Sequence, residues 1–255
     1  MKNRKALLFK AVSIRTILPN VVTLLAFMAG LTSIKFALSG KWELAVAAIV
    51  AAGVFDGLDG TVARLLKSAS RFGAELDSLS DVVAFGVAPA VILYLFALQE
   101  LDRLGWAVAL IYAIAMALRL ARFNARLDDE NGPKKVSGFL TGVPAPMGAG
   151  LLLMPMMAEF VYGAELLKGY EPFVAGYIIF VALLMVSTLP TFSLKALRVP
   201  REWFIPALLI IAVVIAGLFV RTWEVMIGIG ITYLASLPVS YVAFKRRAIQ
   251  KNKSL

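Results

Sequence analysis

Apolar residues run along this chain in stretches too long and too continuous to be one face of a soluble helix. They lie at roughly 19–39, 42–63, 73–98, 104–125, 142–162, 172–190, 203–220 and 223–243, parted mostly by short polar or basic segments. Each is close to the ~20 residues that a helix needs to cross the hydrocarbon core. The pattern predicts an all-α integral membrane protein, a polytopic bundle of about eight transmembrane helices. The fifth to seventh stretches are the least continuous, holding Pro144, Pro146, Pro155 and Pro206. Ahead of them, residues 1–18 mix Lys2, Arg4, Lys5, Lys10 and Arg15 with Leu7, Leu8, Phe9, Val12 and Ile14. That mixture predicts an N-terminal amphipathic helix on the cytoplasmic membrane surface, not a cleavable signal. Residues 19–243 read as one transmembrane domain and 244–255 as a basic cytoplasmic tail. The only long polar stretch, Leu127 to Gly142, reads as a cytoplasmic loop.

Charge orients the spans. An even number of spans puts both termini on one side, and 21 of the 26 Lys+Arg fall in the segments on that side. The bias predicts cytoplasmic N- and C-termini in a multi-pass protein of the cytoplasmic membrane. The net charge of +10 then needs no nucleic acid; topology and anionic membrane lipid account for it, with Lys134 and Lys135 expected to face lipid head groups.

Composition narrows the chemistry. With 60% hydrophobic residues and a mean hydropathy of +0.84, a soluble domain is excluded. There is no cysteine and no histidine, so disulfides, thiolate nucleophiles, Cys/His zinc sites and Ser-His-Asp triads are excluded too. A protein-bound metal would be hard and oxygen-ligated, Mg²⁺ or Mn²⁺.

Against that background, four aspartates stand out: Asp56 and Asp59, three apart, and Asp77 and Asp81, four apart. On helices each pair shares a face. A carboxylate at membrane depth costs about 2.5–3.5 kcal/mol on insertion scales. The basic turn Leu65–Phe72 makes the two helices antiparallel neighbours, bringing four carboxylates to similar depth on the cytoplasmic side. Three readings follow: a divalent-metal enzyme site, an ion or proton pathway, or surface pairing with Arg64, Lys67 and Arg71.

The segment spells D-x2-D-G-x2-A-R-x8-G-x3-D-x3-D from Asp56 to Asp81. That resembles the signature of the CDP-alcohol phosphotransferase family. Eight fixed positions arise by chance on the order of 10⁻¹⁰ per start site at about 5% per residue. The resemblance implies two divalent ions, one on Asp56, Asp59 and Asp77, the other on Asp56, Asp77 and Asp81, with Asp81 also the base. It implies that Gly60, Ala63 and Gly73 leave room for the CDP moiety, that Arg64 meets its diphosphate and that Ser70 contacts the nucleotide. Pro19-Asn20-Val21-Val22-Thr23 is similar to the family's first-helix entry, which implies nucleotide contacts for Asn20 and Thr23; read alone, Asn20 is equally a helix cap. A homodimer is implied as well.

Arg119-Leu120-Ala121-Arg122-Phe123-Asn124, the run Gly138 to Pro146 and the run Gly73 to Asp81 are similar to the phosphatidylserine synthase branch of that family, with Val143 where the branch usually has Leu. The branch implies CDP-diacylglycerol, or its ether analogue, as donor and L-serine as acceptor. Arg119 and Arg122, three apart, could fork a carboxylate, and Glu75 could meet the ammonium; the plainer reading of the arginines is topology-setting. Another family member, using glycerol 3-phosphate or an inositol phosphate, and a cation transporter are the competing readings.

Overall fold

The computed structural model describes residues 14–68, 70–127, 139–163, 166–192 and 200–253. The surface-helix expectation for 1–18 falls largely outside these residues, as do Lys134 and Lys135. Ten α-helices are present among the described residues. Helices α1 (Ile14–Leu38) and α2 (Trp42–Leu65) form an antiparallel pair joined by a tight turn, and α3 (Arg71–Asp81) returns along α1. Beyond α3 the chain stays helical but changes pitch. A π-helical segment (Val82–Val87), α4 (Ala88–Leu93), a second π-helical segment (Tyr94–Leu98) and a short 3-10 turn (Gln99–Leu101) follow. Asp102 then reverses the chain with φ 48°, so that α5 (Asp102–Leu127) packs back against residues 82–101.

The third and fourth apolar stretches are thus one continuous helical path with a sharp return. A π turn frees a backbone carbonyl from the regular ladder. Here buried Tyr112 of α5 answers it, its hydroxyl donating to Phe85 O at 3.0 Å.

The second half is more broken. Helices α6 (Ala145–Leu152) and α7 (Met154–Tyr162) meet at a 43° bend, with Pro155 at the break, where proline cannot supply an N–H to the preceding turn. Helix α8 (Glu171–Val186) has 16 residues; α9 (Phe204–Val220) and α10 (Thr222–Lys253) complete the chain. Among the described residues, five helical stretches are long and apolar enough to cross a membrane, six if the bent α6–α7 pair is one span. The protein is a multi-pass, all-α membrane protein. Helix α10 runs on to Lys253, so the basic tail is helical continuation for most of its length.

One feature was not expected from sequence. In the stretch read as a loop, β1 (Phe139–Thr141) pairs antiparallel with β2 (Pro190–Phe192), and Gly142 N donates to Leu189 O at 2.8 Å. This ribbon ties the entrance of α6 to the exit of α8, and α10 packs on it.

The core is built from small residues where helices cross closely. A Cβ on Gly30 of α1 would lie 2.6 Å from Ala84 Cα, so only glycine permits that crossing. Far from the aspartates, an edge-to-face chain of Trp42, Phe96, Phe160 and Trp223 joins α2, the second π segment, α7 and α10. Trp42 and Asp59 are on one helix, 17 positions apart, or about 25 Å at the helical rise. The aromatic end and the carboxylate end are therefore opposite ends of the bundle.

Candidate active site

The carboxylates come together because a short turn joins α2 to α3 and both helices pack against α1. Asp56, Asp59 and Asp77 bring one carboxylate oxygen each within 4.8 Å of one another. Asp81, the last residue of α3 before the π segment, is within hydrogen-bonding reach of Asp56 and within electrostatic range of Asp77 and Arg119. Four carboxylates at this separation repel unless a cation lies among them. The donor set is all oxygen, which suits Mg²⁺ or Mn²⁺.

Helix α1 closes one side of the group. Thr23 Oγ1 donates to Asp59 Oδ2 at 2.7 Å, with both residues buried, and the Gly60 N–H also serves Asp59. Ser80 Oγ donates to Thr23 O at 3.2 Å, pinning α3 to the same point of α1. A hydroxyl donor on a carboxylate fixes its orientation.

A cavity of about 160 Å³ opens beside the carboxylates, lined in part by Asp59 and Asp77. Asn20, Thr23, Gly60, Ala63, Ser70 and Gly73 all line it. The glycines have different reasons. Around Gly60 a Cβ would meet nothing within 4 Å, so the space is open to a ligand. On Gly73 it would sit 2.9 Å from Asn20 Oδ1 and 3.1 Å from Ser70 Oγ. Ser70 is also the N-cap of α3, its hydroxyl accepting from Gly73 N at 3.0 Å. Arg64 stands outside this lining, exposed, with Nη2 donating to Thr61 Oγ1 at 3.2 Å.

Sequence reading missed Ser68, whose buried Oγ has no partner among the described residues and lines the same cavity. The signal was slight: one serine in a polar turn, next to Lys67 at φ 49°.

The residues expected to meet the acceptor separate. Arg119 lies within electrostatic range of Asp81 and Asp56, and its Nε and Nη1 are buried without a hydrogen-bond partner among the described residues. Arg122 points elsewhere, Nη1 donating to Val186 O at the end of α8. The shared face expected from their spacing is divided because α8 needs its last carbonyls capped. Glu75 is exposed and lines no part of the cavity. Asn124, in the same motif, is structural: its Nδ2 donates to Ser78 Oγ at 2.9 Å, joining α5 to α3.

The family model for CDP-alcohol phosphatidyltransferases matches residues 16–188. The chain belongs to that family. A second model, CDP-alcohol phosphatidyltransferase 2, matches residues 202–238. Among curated relatives, a CDP-diacylglycerol–serine O-phosphatidyltransferase of Mycobacterium tuberculosis is 39% identical over 225 residues, covering 87% of this chain and 77% of the relative. Proteins of the same name from Helicobacter pylori and Methanocaldococcus jannaschii are 34% identical over 209 residues and 43% over 143. These cover 82% and 55% of this chain, and 84% and 62% of the relatives. The match to the first family model takes in the whole carboxylate group and every residue lining the cavity.

Proposed function

We propose that this chain transfers a phosphatidyl group from CDP-diacylglycerol, or its ether counterpart, to the hydroxyl of L-serine and releases CMP. The observation that carries this is the junction of the carboxylate group with a cavity that gathers Asn20, Thr23, Gly60, Ala63, Ser70 and Gly73. The shared name of the relatives supports the choice of substrates.

In this reading, Asp56, Asp59 and Asp77 would hold one divalent ion, and Asp56, Asp77 and Asp81 a second. Bound there, Mg²⁺ or Mn²⁺ supplies neutralisation of the diphosphate and of the leaving CMP. The protein does the rest. The cavity seats the cytidine end of the donor, and Arg64, at the end of α2, meets the diphosphate. Asp81 takes the proton of the serine hydroxyl. The oxygen so exposed forms a new bond to the phosphatidyl phosphorus, the bond from that phosphorus to the CMP oxygen breaks, and CMP leaves with the electron pair. Arg119, within electrostatic range of Asp81, receives the serine carboxylate, so that the acceptor is held at both ends.

The topology that suits this chemistry has eight spans, both termini in the cytoplasm and the carboxylates opening to that side. The distribution of Lys and Arg supports it. A water-soluble acceptor then meets a lipid donor at the inner leaflet.

The test is CMP release from CDP-diacylglycerol by the purified protein in detergent, with L-serine, glycerol 3-phosphate or inositol phosphate as acceptor. Serine alone is expected to support turnover. Turnover with either phosphate-bearing acceptor instead would make the chain a different member of the family. Cation flux in liposomes without CMP release would make it a transporter.

A further inference from the structure

We infer that Tyr233 of α10 forms, together with Arg119, the seat for the carboxylate of the acceptor. The inference rests on the proposed use of serine and adds a residue from the C-terminal helix, outside the 16–188 match.

Buried polar atoms in proteins almost always have partners, and the exceptions call for an explanation. Among the described residues, four side chains hold such unpartnered atoms: Ser68, Arg119, Tyr233 and Ser240. Ser68 belongs to the nucleotide cavity. Arg119 and Tyr233 lie within electrostatic range of each other, although the two residues are more than a hundred positions apart in sequence. The Tyr233 hydroxyl comes close to Thr191 without a well-formed hydrogen bond, while Thr191 Oγ1 donates to Gly142 O at 2.9 Å. Ser240, two turns further along the same face of α10, also keeps a buried hydroxyl without a partner.

Neighbouring donors are already engaged. Tyr112, also within electrostatic range of Arg119, spends its hydroxyl on Phe85 O. Arg122 spends Nη1 on Val186 O. Arg119 Nε and Nη1 and the Tyr233 hydroxyl therefore remain without a well-formed hydrogen bond among the described residues, and Asp81 is within electrostatic range of the same guanidinium. A small acceptor with its hydroxyl at Asp81 and its carboxylate at Arg119 satisfies all three groups. A guanidinium and a phenol are both suited to a carboxylate, since both donate and a phenol adds no second charge. The nucleotide site comes from α1 to α3, so a residue on α10 adjusts acceptor choice without touching it.

Tyr233→Phe removes the hydroxyl and keeps the ring. With purified, monodisperse protein, the serine KM is expected to rise about tenfold, with the CDP-diacylglycerol KM unchanged. A second arm needs no variant. Wild-type protein should use L-serinamide, which lacks the carboxylate, at least about tenfold less well than L-serine, and Tyr233→Phe should narrow that gap. A serine KM unchanged in Tyr233→Phe would overturn the inference, and so would equal loss with both substrates. If the variant does not fold, equal use of serine and serinamide by the wild type overturns it just as well. No turnover of serine by the wild type would instead refute the proposed function itself.

Discussion

The bond from Thr23 to Asp59 allows a sharp test of how α1 serves the site. Family resemblance gives Thr23 a nucleotide contact, whereas its hydroxyl lies 2.7 Å from Asp59 Oδ2, with the Pro19 carbonyl a longer alternative acceptor at 3.2 Å, in a place where Thr23 and Asp59 are only 4% and 6% exposed. Thr23→Val keeps the shape and deletes the donor. A hydrogen bond to a charged group is worth about 1.5–3 kcal/mol, or roughly 10- to 100-fold in an equilibrium constant. The Gly60 N–H continues to serve Asp59, which puts the expected loss near the lower end, about tenfold. It should appear as a higher half-saturating concentration of Mg²⁺ or Mn²⁺, measured by CMP release at saturating donor and serine. Thr23→Ser, which keeps the hydroxyl, should stay close to wild type. An unchanged metal requirement in Thr23→Val, with a raised CDP-diacylglycerol KM, would refute the reasoning and return the hydroxyl to the nucleotide.

Gly73→Ala should raise the CDP-diacylglycerol KM about tenfold, because the new methyl displaces Asn20 and the cap residue Ser70; donor titration at fixed serine measures this. Arg119→Ala should lower kcat/KM for serine roughly 10- to 100-fold, and Arg119→Lys should restore only part, since an ammonium lacks the planar fork. Arg122→Ala should instead lower thermal stability in detergent, because it deprives Val186 O of its donor, with serine kinetics of the folded fraction retained.

Much of this site was legible because its geometry is local. Spacings of three and four on two helices joined by a short turn leave little choice but to gather Asp56, Asp59, Asp77 and Asp81. The cavity residues Gly60, Ala63, Ser70 and Gly73 came from the family resemblance, and the structure sets them together on the same two helices and their turn. What spacing could not give was any contact settled by a distant element. Arg119 and Arg122 are equivalent by periodicity, and only the end of α8, 64 positions further on, draws Arg122 away. Tyr233 lies in an apolar stretch whose pattern marks a span and nothing more. The pairing of β1 with β2 was hidden for the same reason, as each strand is three residues long and the partners are far apart in sequence. The return at Asp102, by contrast, was legible, because the polar run Gln99-Glu100-Leu101-Asp102-Arg103 parts the third and fourth apolar stretches there.

If the four aspartates act through divalent ions in phosphatidyl transfer, removing the ions stops the reaction. The most direct measurement is CMP release from CDP-diacylglycerol and L-serine by protein stripped of metal, with and without added Mg²⁺ or Mn²⁺. No turnover is expected in excess EDTA, with recovery on adding either ion and with Asp77→Asn recovering little at any concentration. Full turnover in excess EDTA after stripping would contradict that role for the ions.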